Sequence, residues 1–232
     1  MRILAIDTSS QAASAAIVDD GVVAGEFFVN AKLTHSQTIM PMVDSLINCT
    51  RLSLDSIDAF AVSTGPGSFT GLRIGISAAK GLAHALNKPV YAVSTLEGLA
   101  YNLSMANGIV CPVMDARCNQ VYTAFFECKN SKIKRLSEDA AMSIDELGKK
   151  INEYEKTVIF VGDGANLCYN VLSDKCNVAL CSPLNMHQRA ASVAAAAASG
   201  NLQLLSPSEL APSYLRLPQA QRELLAKQNG GN

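Results

Sequence analysis

The chain opens on a short apolar run, Ile3 to Ile6, closed by Asp7. A polar turn, Thr8-Ser9-Ser10-Gln11, leads into a second apolar stretch, Ala13 to Val18. Asp20-Gly21 is a strong hairpin signal, because a two-residue turn needs positive φ at both central positions. Val22 to Val29 reads as a third strand, so the pattern predicts a three-stranded meander. From about Ser36 to Asn48 the apolar residues Ile39, Met40, Val43, Leu46 and Ile47 recur at helical spacing, with Thr34 or Ser36 as the cap. Pro41 lies too deep for a first turn, so a kink or a later start is expected there. Ile57 to Ser63 reads as a buried strand, Gly71 to Leu86 as a helix, Pro89 to Val93 as a strand and Thr95 to about Met105 as a helix. The order is βββαβαβα.

The second half repeats it. Ile109 to Met114, Val121 to Cys128 and Lys132 to Leu136 predict another meander, and Ile144 to Ile151 a helix. Val158 to Val161 (strand), Ala165 to Leu172 (helix) and Val178 to Leu180 (strand) follow, then an Ala-rich helix from Met186 to Ser199, with Gly200 placed to end it. This is an α/β chain with two similar lobes, residues 1–107 and 108–205, and the look of an internal duplication. Residues 206–232 form a C-terminal segment that is expected to return to the first lobe. Pro207, Pro212 and Pro218 mark it as irregular. Arg222 to Lys227 predicts one helical turn or two, and Gln228 to Asn232, without an apolar anchor, is expected to fray.

Composition narrows the function classes. Of 232 residues 49% are hydrophobic and only 17% charged, with a net charge of -1. That favours a large core with apolar surface left for a partner, and gives no broad basic footprint for nucleic acid. No run of about 18 apolar residues free of Gly, Pro and charge predicts a membrane span, and the start lacks a signal-peptide pattern. A cytoplasmic location is expected. Seven cysteines, an odd number without any CxxC pair, suit reduced thiols.

Three turns carry candidate chemistry. Asp7, Thr8 and Ser9 stand where the first strand of an actin-like or sugar-kinase fold holds phosphate, and their hydroxyls and N–H groups suit an anion; they equally suit a tight turn. Gly162 and Gly164, between a strand and a helix, suit an adenine nucleotide or a plain strand-to-helix turn. In the turn from Asp115 to Asn119, Arg117 and Asn119 stand where a phosphate cradle would use glycine. His35, His84 and His187 show neither HxxxH spacing nor a nearby zinc-type cysteine, so no metal site and no cofactor are expected.

The most unusual segment is the glycine-rich loop Gly65 to Gly71 and the helix it enters. Leu72, Ile76, Ala79, Ala83 and Leu86 make one apolar stripe; Gly71, Gly75, Ala78, Leu82 and Ala85 make a second; Arg73, Ser77, Lys80, His84 and Asn87 make the polar one. Two apolar stripes require two packing neighbours, and the pattern leaves open whether the second belongs to this chain or to a partner.

Together, ILAIDTSS, THSQTIMP, STGPGSFTGLRIGISAAKGLA, STLEGLA, the DAR after a strand, VGDGA and PSYLR resemble the bacterial TsaB (YeaZ) family over nearly the whole chain. The resemblance implies a duplicated actin-like (ASKHA, ribonuclease H-like) fold. It also implies a role beside the similar catalytic subunit TsaD and the ATPase TsaE, in adding threonylcarbamoyl to the adenosine next to the tRNA anticodon. In TsaD a segment like NHLEGH supplies two metal-binding histidines; here Thr95 and Leu99 occupy those places, and neither replaces an imidazole. The expected protein is therefore a non-catalytic scaffold that docks to TsaD, meets tRNA only through the complex and pairs with itself when alone.

On this reading the first lobe presents two helices to the partner. The expected contacts are His35, Ile39, Met42, Val43 and Leu46 on one, with Gly71, Leu72, Gly75, Ala78, Ala79 and Leu82 on the other. Gly75→Leu is expected to abolish the heterodimer while leaving the lobe folded. The alternatives are an actin-like small-molecule kinase or ATPase, against which Arg117 counts, and a metallopeptidase, against which the missing ligands count.

Overall fold

The structure is a computed structural model, and it describes residues 1–216. The first sheet is built from β1 (Arg2–Asp7), β2 (Ala13–Asp19), β3 (Val22–Val29), β4 (Ala59–Gly65) and β5 (Val90–Ser94). Their order is β5-β4-β1-β2-β3, with β1 antiparallel to β2 and parallel to β4. The helices α1 (His35–Thr50) and α2 (Phe69–Ala85) cover one face. The helix α3 (Thr95–Tyr101) leads into the second sheet, made of β6 (Gly108–Asp115), β7 (Gln120–Thr123), β8 (Phe126–Lys129), β9 (Lys132–Arg135), β10 (Ala140–Ser143), β11 (Val158–Val161) and β12 (Val178–Leu180). There β12-β11-β6-β8-β9 repeats the first sheet's order, while β7 and β10 form an added antiparallel arm on β6. Helices α4 (Ile144–Ile151), α5 (Ala165–Leu172) and α6 (Ala190–Ala197) complete the duplicated α/β architecture.

The strand β1 shows why the layers assemble in this way. Leu4 and Ile6 face α1 and α2, together with Ile17, Phe60 and Val62. Ile3 and Ala5 face the other way, where Ala16, Ala59 and Ala61 meet Ala190, Ala194 and Ala197 of α6. Both faces are apolar, so hydrophobicity alone does not choose the register. Size does: a one-residue slip would press Leu4 and Ile6 against a helix seated on alanines, and overpacking costs about 1–3 kcal/mol per site.

The cores do not follow a cut at residue 107. Leu96, Leu99 and Ala100 of α3 are buried in the second lobe's core, while α6, late in the chain, closes the free face of the first sheet. The two helices also pack on each other, Gly98 facing Val193.

Several elements differ from the sequence expectation. The helix α1 runs from His35 through Pro41 without a break, and Thr34 makes no side-chain cap bond. Pro41 removes the donor to the Gln37 carbonyl, but both residues are exposed, so that carbonyl is open to solvent. The single strand expected over Val121 to Cys128 is two. Gln120–Thr123 pairs with β10 and the end of β6, Phe126–Lys129 pairs with β9 and the start of β6, and between them Phe125 packs on Tyr154. The strand β10 was not expected, since Ala140-Ala141-Met142-Ser143 has little strand propensity and is held by pairing with β7. The helix expected from Met186 begins only at Ala190, because Ser14 Oγ and Glu26 Oε1 accept the N–H groups of Ala190 and Ala191.

After Gly200 (φ +82°) the chain crosses to the first lobe. β13 (Leu204–Leu205) adds an antiparallel edge to β5, Leu210 is buried beneath α2, and Ser213 N donates to Thr64 O at 2.8 Å. The turns expected over Arg222–Lys227 and the terminal residues lie outside the described residues. Among the described residues no helix is long and apolar enough to cross a membrane.

Candidate functional site

A cleft of about 560 Å³ opens between the lobes, bordered by the end of β1, the α2 entry loop, the β6–β7 turn and the C-terminal strap. At its base Asp7 is almost wholly buried. Its carboxylate accepts from Ser9 N (2.9 Å), Ser9 Oγ (2.8 Å) and Ser63 Oγ. Burial pushes the Asp7 carboxyl above its ordinary range, and these bonds pull it back only in part. Thr8 Oγ1 donates to Gly71 O at 2.7 Å. Ser10 Oγ donates to Gln188 Oε1 (2.7 Å), and Ser10 O accepts from His35 Nε2 (2.7 Å). Of the expected anion-binding residues, Asp7 and Thr8 thus turn inward onto their own lobe, and Ser9 lies along the cleft.

The opposite wall belongs to the second lobe. Gly162 and Gly164 are buried, and they let the β11–α5 turn lie directly on the end of β6. A β-carbon on Gly162 would sit 2.3 Å from Val113 O, and one on Gly164 3.0 Å from Asp115 N. It is Asp163 between them that faces the cleft, accepting from Asp115 N at 3.3 Å. Asp163 stays exposed at the edge of the cleft, and the protein packed close around its carboxyl, with the nearby Asp115 charge, pushes it up to about 6. Arg117, Cys118 and Asn119 all adopt positive φ (64°, 54° and 54°), a run of three that L-residues rarely hold.

The strap closes one side. Tyr214 stacks on Phe69 with centroids 4.8 Å apart, and Arg216 Nη1 donates to Ala116 O (3.2 Å) across the cleft. The segment PSYLR carries part of the family resemblance and lies in the C-terminal stretch expected to return to the first lobe, but it has no place among the expected site residues. Tyr122, Asp163 and Arg216 were not among the expected site residues, because strand pairing and chain return, not local sequence, bring them to the cleft.

The surface expected to meet a partner is corrected at most of its positions. Ile39, Met42, Val43, Leu46, Leu72 and Ala79 are buried in the first lobe's own core. Gly71 and Gly75 are buried under Thr8: β-carbons there would lie 2.1 Å from its carbonyl oxygen and 2.3 Å from its Oγ1. The second packing neighbour of α2 is thus this chain's own β1 turn, and Gly75→Leu would disrupt the lobe itself. His35, Ala78 and Leu82 stay half-buried. What remains open is a groove of about 650 Å³ between α1 and α2, lined by Ser36, Met40, Thr70, Arg73, Ile74 and Ser77 among others. Met40 is 43% exposed although it is apolar. The alternation of Met40 with Ile39 and of Arg73 and Ser77 with the buried stripe was the available signal.

The residues at the two histidine places do not suit a metal. Thr95 is buried with no partner for its Oγ1, and Leu99 is a core residue. Between them Glu97 is engaged by Arg135 at 3.0 Å, and Arg135 also binds Asp139 at 2.6 Å. A neutral hydroxyl and an alkyl group offer no adequate donor set. Among the described residues no three His, Cys, Asp or Glu side chains stand together as a metal-binding group.

The two sheets of matching order, with a cleft between them, define a duplicated actin-like protein. At a level that bears on fold alone, the Acidaminococcus fermentans (R)-2-hydroxyglutaryl-CoA dehydratase component A is similar (TM-score 0.50, 13% identity, 84% of this chain and 96% of that one). YeaZ from Pseudomonas aeruginosa is much nearer, with TM-score 0.78 and 29% identity over 92% of this chain and 99% of that one. The family model described as TsaD, tRNA N6-adenosine threonylcarbamoyltransferase, matches residues 4–224. Two proteins called tRNA threonylcarbamoyladenosine biosynthesis protein TsaB are similar in sequence. That of Bacillus subtilis (strain 168) is 36% identical over 75% of this chain and 76% of its own, and that of Escherichia coli (strain K12) 37% identical over 71% and 72%. The chain belongs to the TsaB family, within the wider TsaD group.

Proposed function

We propose that the chain serves tRNA threonylcarbamoyladenosine biosynthesis as a non-catalytic scaffold that docks to a TsaD-family subunit through its α1–α2 groove. The relatives' name supports the pathway. The observation that carries the docking role is the groove itself. It exposes Met40 and half-exposes Ile74 and Ala78 on a face that the other described residues leave uncovered. Helices pack into such grooves by laying apolar residues along them. Thr95 and Leu99 support the non-catalytic part, since they leave the metal-binding places without ligands. TsaE is proposed to join through the same complex, tRNA to be met only there, and a second copy to occupy the groove when TsaD is absent. The cytoplasm is the proposed site of action.

The test mixes the purified chain with the TsaD-family protein of the same organism, follows the complex by gel filtration and then assays tRNA modification. Ile74→Glu and Ala78→Arg, both on the open face, are expected to weaken the complex while circular dichroism stays native. Undiminished complexes in both variants would refute the groove assignment. Modification of tRNA by the chain alone, or turnover of Mg-ATP by it, would refute the non-catalytic one.

A further inference from the structure

Arg73 is held in place before any partner arrives. Its guanidinium carbon lies 4.0 Å from the centroid of Phe69, one turn back on α2. Its Nε donates to Tyr214 Oη at 3.0 Å, and Tyr214 is itself stacked on Phe69. The strap that carries Tyr214 is anchored in turn by Ser213 N to Thr64 O, and by Lys80 Nζ to Ser208 O and Leu210 O. With Nε engaged, the two Nη groups make no hydrogen bond to the described residues, and the side chain lines the α1–α2 groove. Among the described residues lining that groove, Arg73 is the single charged one.

We propose that Arg73 is the specificity-determining anchor of this groove, and that it takes a carboxylate carried on an otherwise apolar helix of the protein partner. The inference rests on the docking reading above and adds the chemistry of the partner. A guanidinium bound through Nε presents its Nη pair as a planar fork, the geometry that a carboxylate matches with two parallel bonds. Among the described residues the rest of the lining is apolar side chains with the neutral hydroxyls of Ser36, Thr70 and Ser77 and no anion, so the complementary surface is largely apolar with one negative group. The stacking on Phe69 and the bond to Tyr214 hold the guanidinium ordered in the free protein, which reduces the ordering cost on binding. This gives the PSYLR segment a role: its tyrosine positions an arginine 141 residues away in the sequence.

The experiment is calorimetric titration of the full chain with the TsaD-family protein, at low and at moderate salt. Arg73→Gln is expected to weaken binding about 10- to 100-fold, the range for a charge-assisted bond, and to flatten the salt dependence. Arg73→Lys should recover only part of the affinity, because an ammonium lacks the fork. Tyr214→Phe should lose a few-fold while keeping the charge. Charge reversal in Arg73→Glu should be rescued by an Asp or Glu to Lys change on the partner. Wild-type affinity in Arg73→Gln, with Ile74→Glu disruptive, overturns the anchor and leaves the docking reading standing. Wild-type affinity in both variants overturns the docking reading as well. A loss confined to self-association, or to tRNA binding by the assembled complex, overturns the choice of a protein carboxylate as the ligand. Should Arg73→Gln melt early, Arg73→Lys carries the test, and wild-type affinity there overturns the anchor.

Discussion

Thr8 Oγ1 occupies the space that a side chain on Gly75 would need: a β-carbon there would lie 2.3 Å away. The same hydroxyl donates to Gly71 O, so the end of β1 is pinned to the first two turns of α2 at a distance that only glycines permit. Gly75→Ala is therefore expected to cost about 1–3 kcal/mol by overpacking. Thr8→Ala alone is expected to cost about 1 kcal/mol for the lost hydrogen bond. Because Thr8→Ala removes the clashing oxygen, the double variant should be less destabilised than the sum of the two. Urea melts of the four proteins measure the coupling; strict additivity would contradict the contact.

Asp7 gathers three hydrogen bonds at a position only 1% exposed. Asp7→Asn keeps an oxygen for Ser9 and presents a group that the Ser63 hydroxyl can accept from, so a small loss of stability is expected. Asp7→Ala strands the Ser9 N–H and two hydroxyls, and a loss of about 2–4 kcal/mol is expected. Thermal and urea denaturation compare the two. Equal stability in both variants would show that the carboxyl is not a packing element of this lobe.

Asp163 makes a pH signature. Its folded-state value, about 6, lies above the ordinary 3.8, so folding favours the neutral form. Its contribution to stability is full below about pH 4 and is lost as pH rises through 6. Asp163→Asn is always neutral and can still accept from Asp115 N. The variant should therefore gain on wild type in melting temperature between pH 4 and 7, with a constant gap below pH 4. A gap that does not change with pH would argue that the cleft leaves this carboxyl fully solvated.

Asn130 and Ser131 join β8 to β9 with φ of 51° and 60°, the two positive angles of a tight hairpin. Serine is a poor choice at the second position. Ser131→Gly is expected to stabilise the protein by about 0.5–1 kcal/mol, since glycine reaches that region without a β-carbon penalty. A shift of the urea midpoint to higher concentration, with the slope unchanged, is the expected result.

Sequence patterning read the elements best where local chemistry is sufficient. Val158–Val161, Ala165–Leu172 and Val178–Leu180 carry the bounds their periodicity predicts, and Asp20-Gly21 turns with φ of 46° and 82° as its residues require. It failed where a distant residue supplies the decisive bond. The start of α6 depends on Ser14 and Glu26, more than 160 positions earlier, and the split of Val121 to Cys128 depends on which strand each half pairs with.

The amino-acid sequence by itself determined most of the helices and strands, the duplication and the family, because periodicity, turn residues and extended motifs are properties of neighbours along the chain. Tertiary structure alone decided which face of α2 is open. A stripe of glycines announces that something approaches closely, and only the folded chain identifies Thr8 as that neighbour, leaving Met40, Ile74 and Arg73 as the surface another molecule can reach. Close packing is settled by atoms that meet from far apart in sequence, so burial on one side cannot be told from burial on the other until both lobes are assembled.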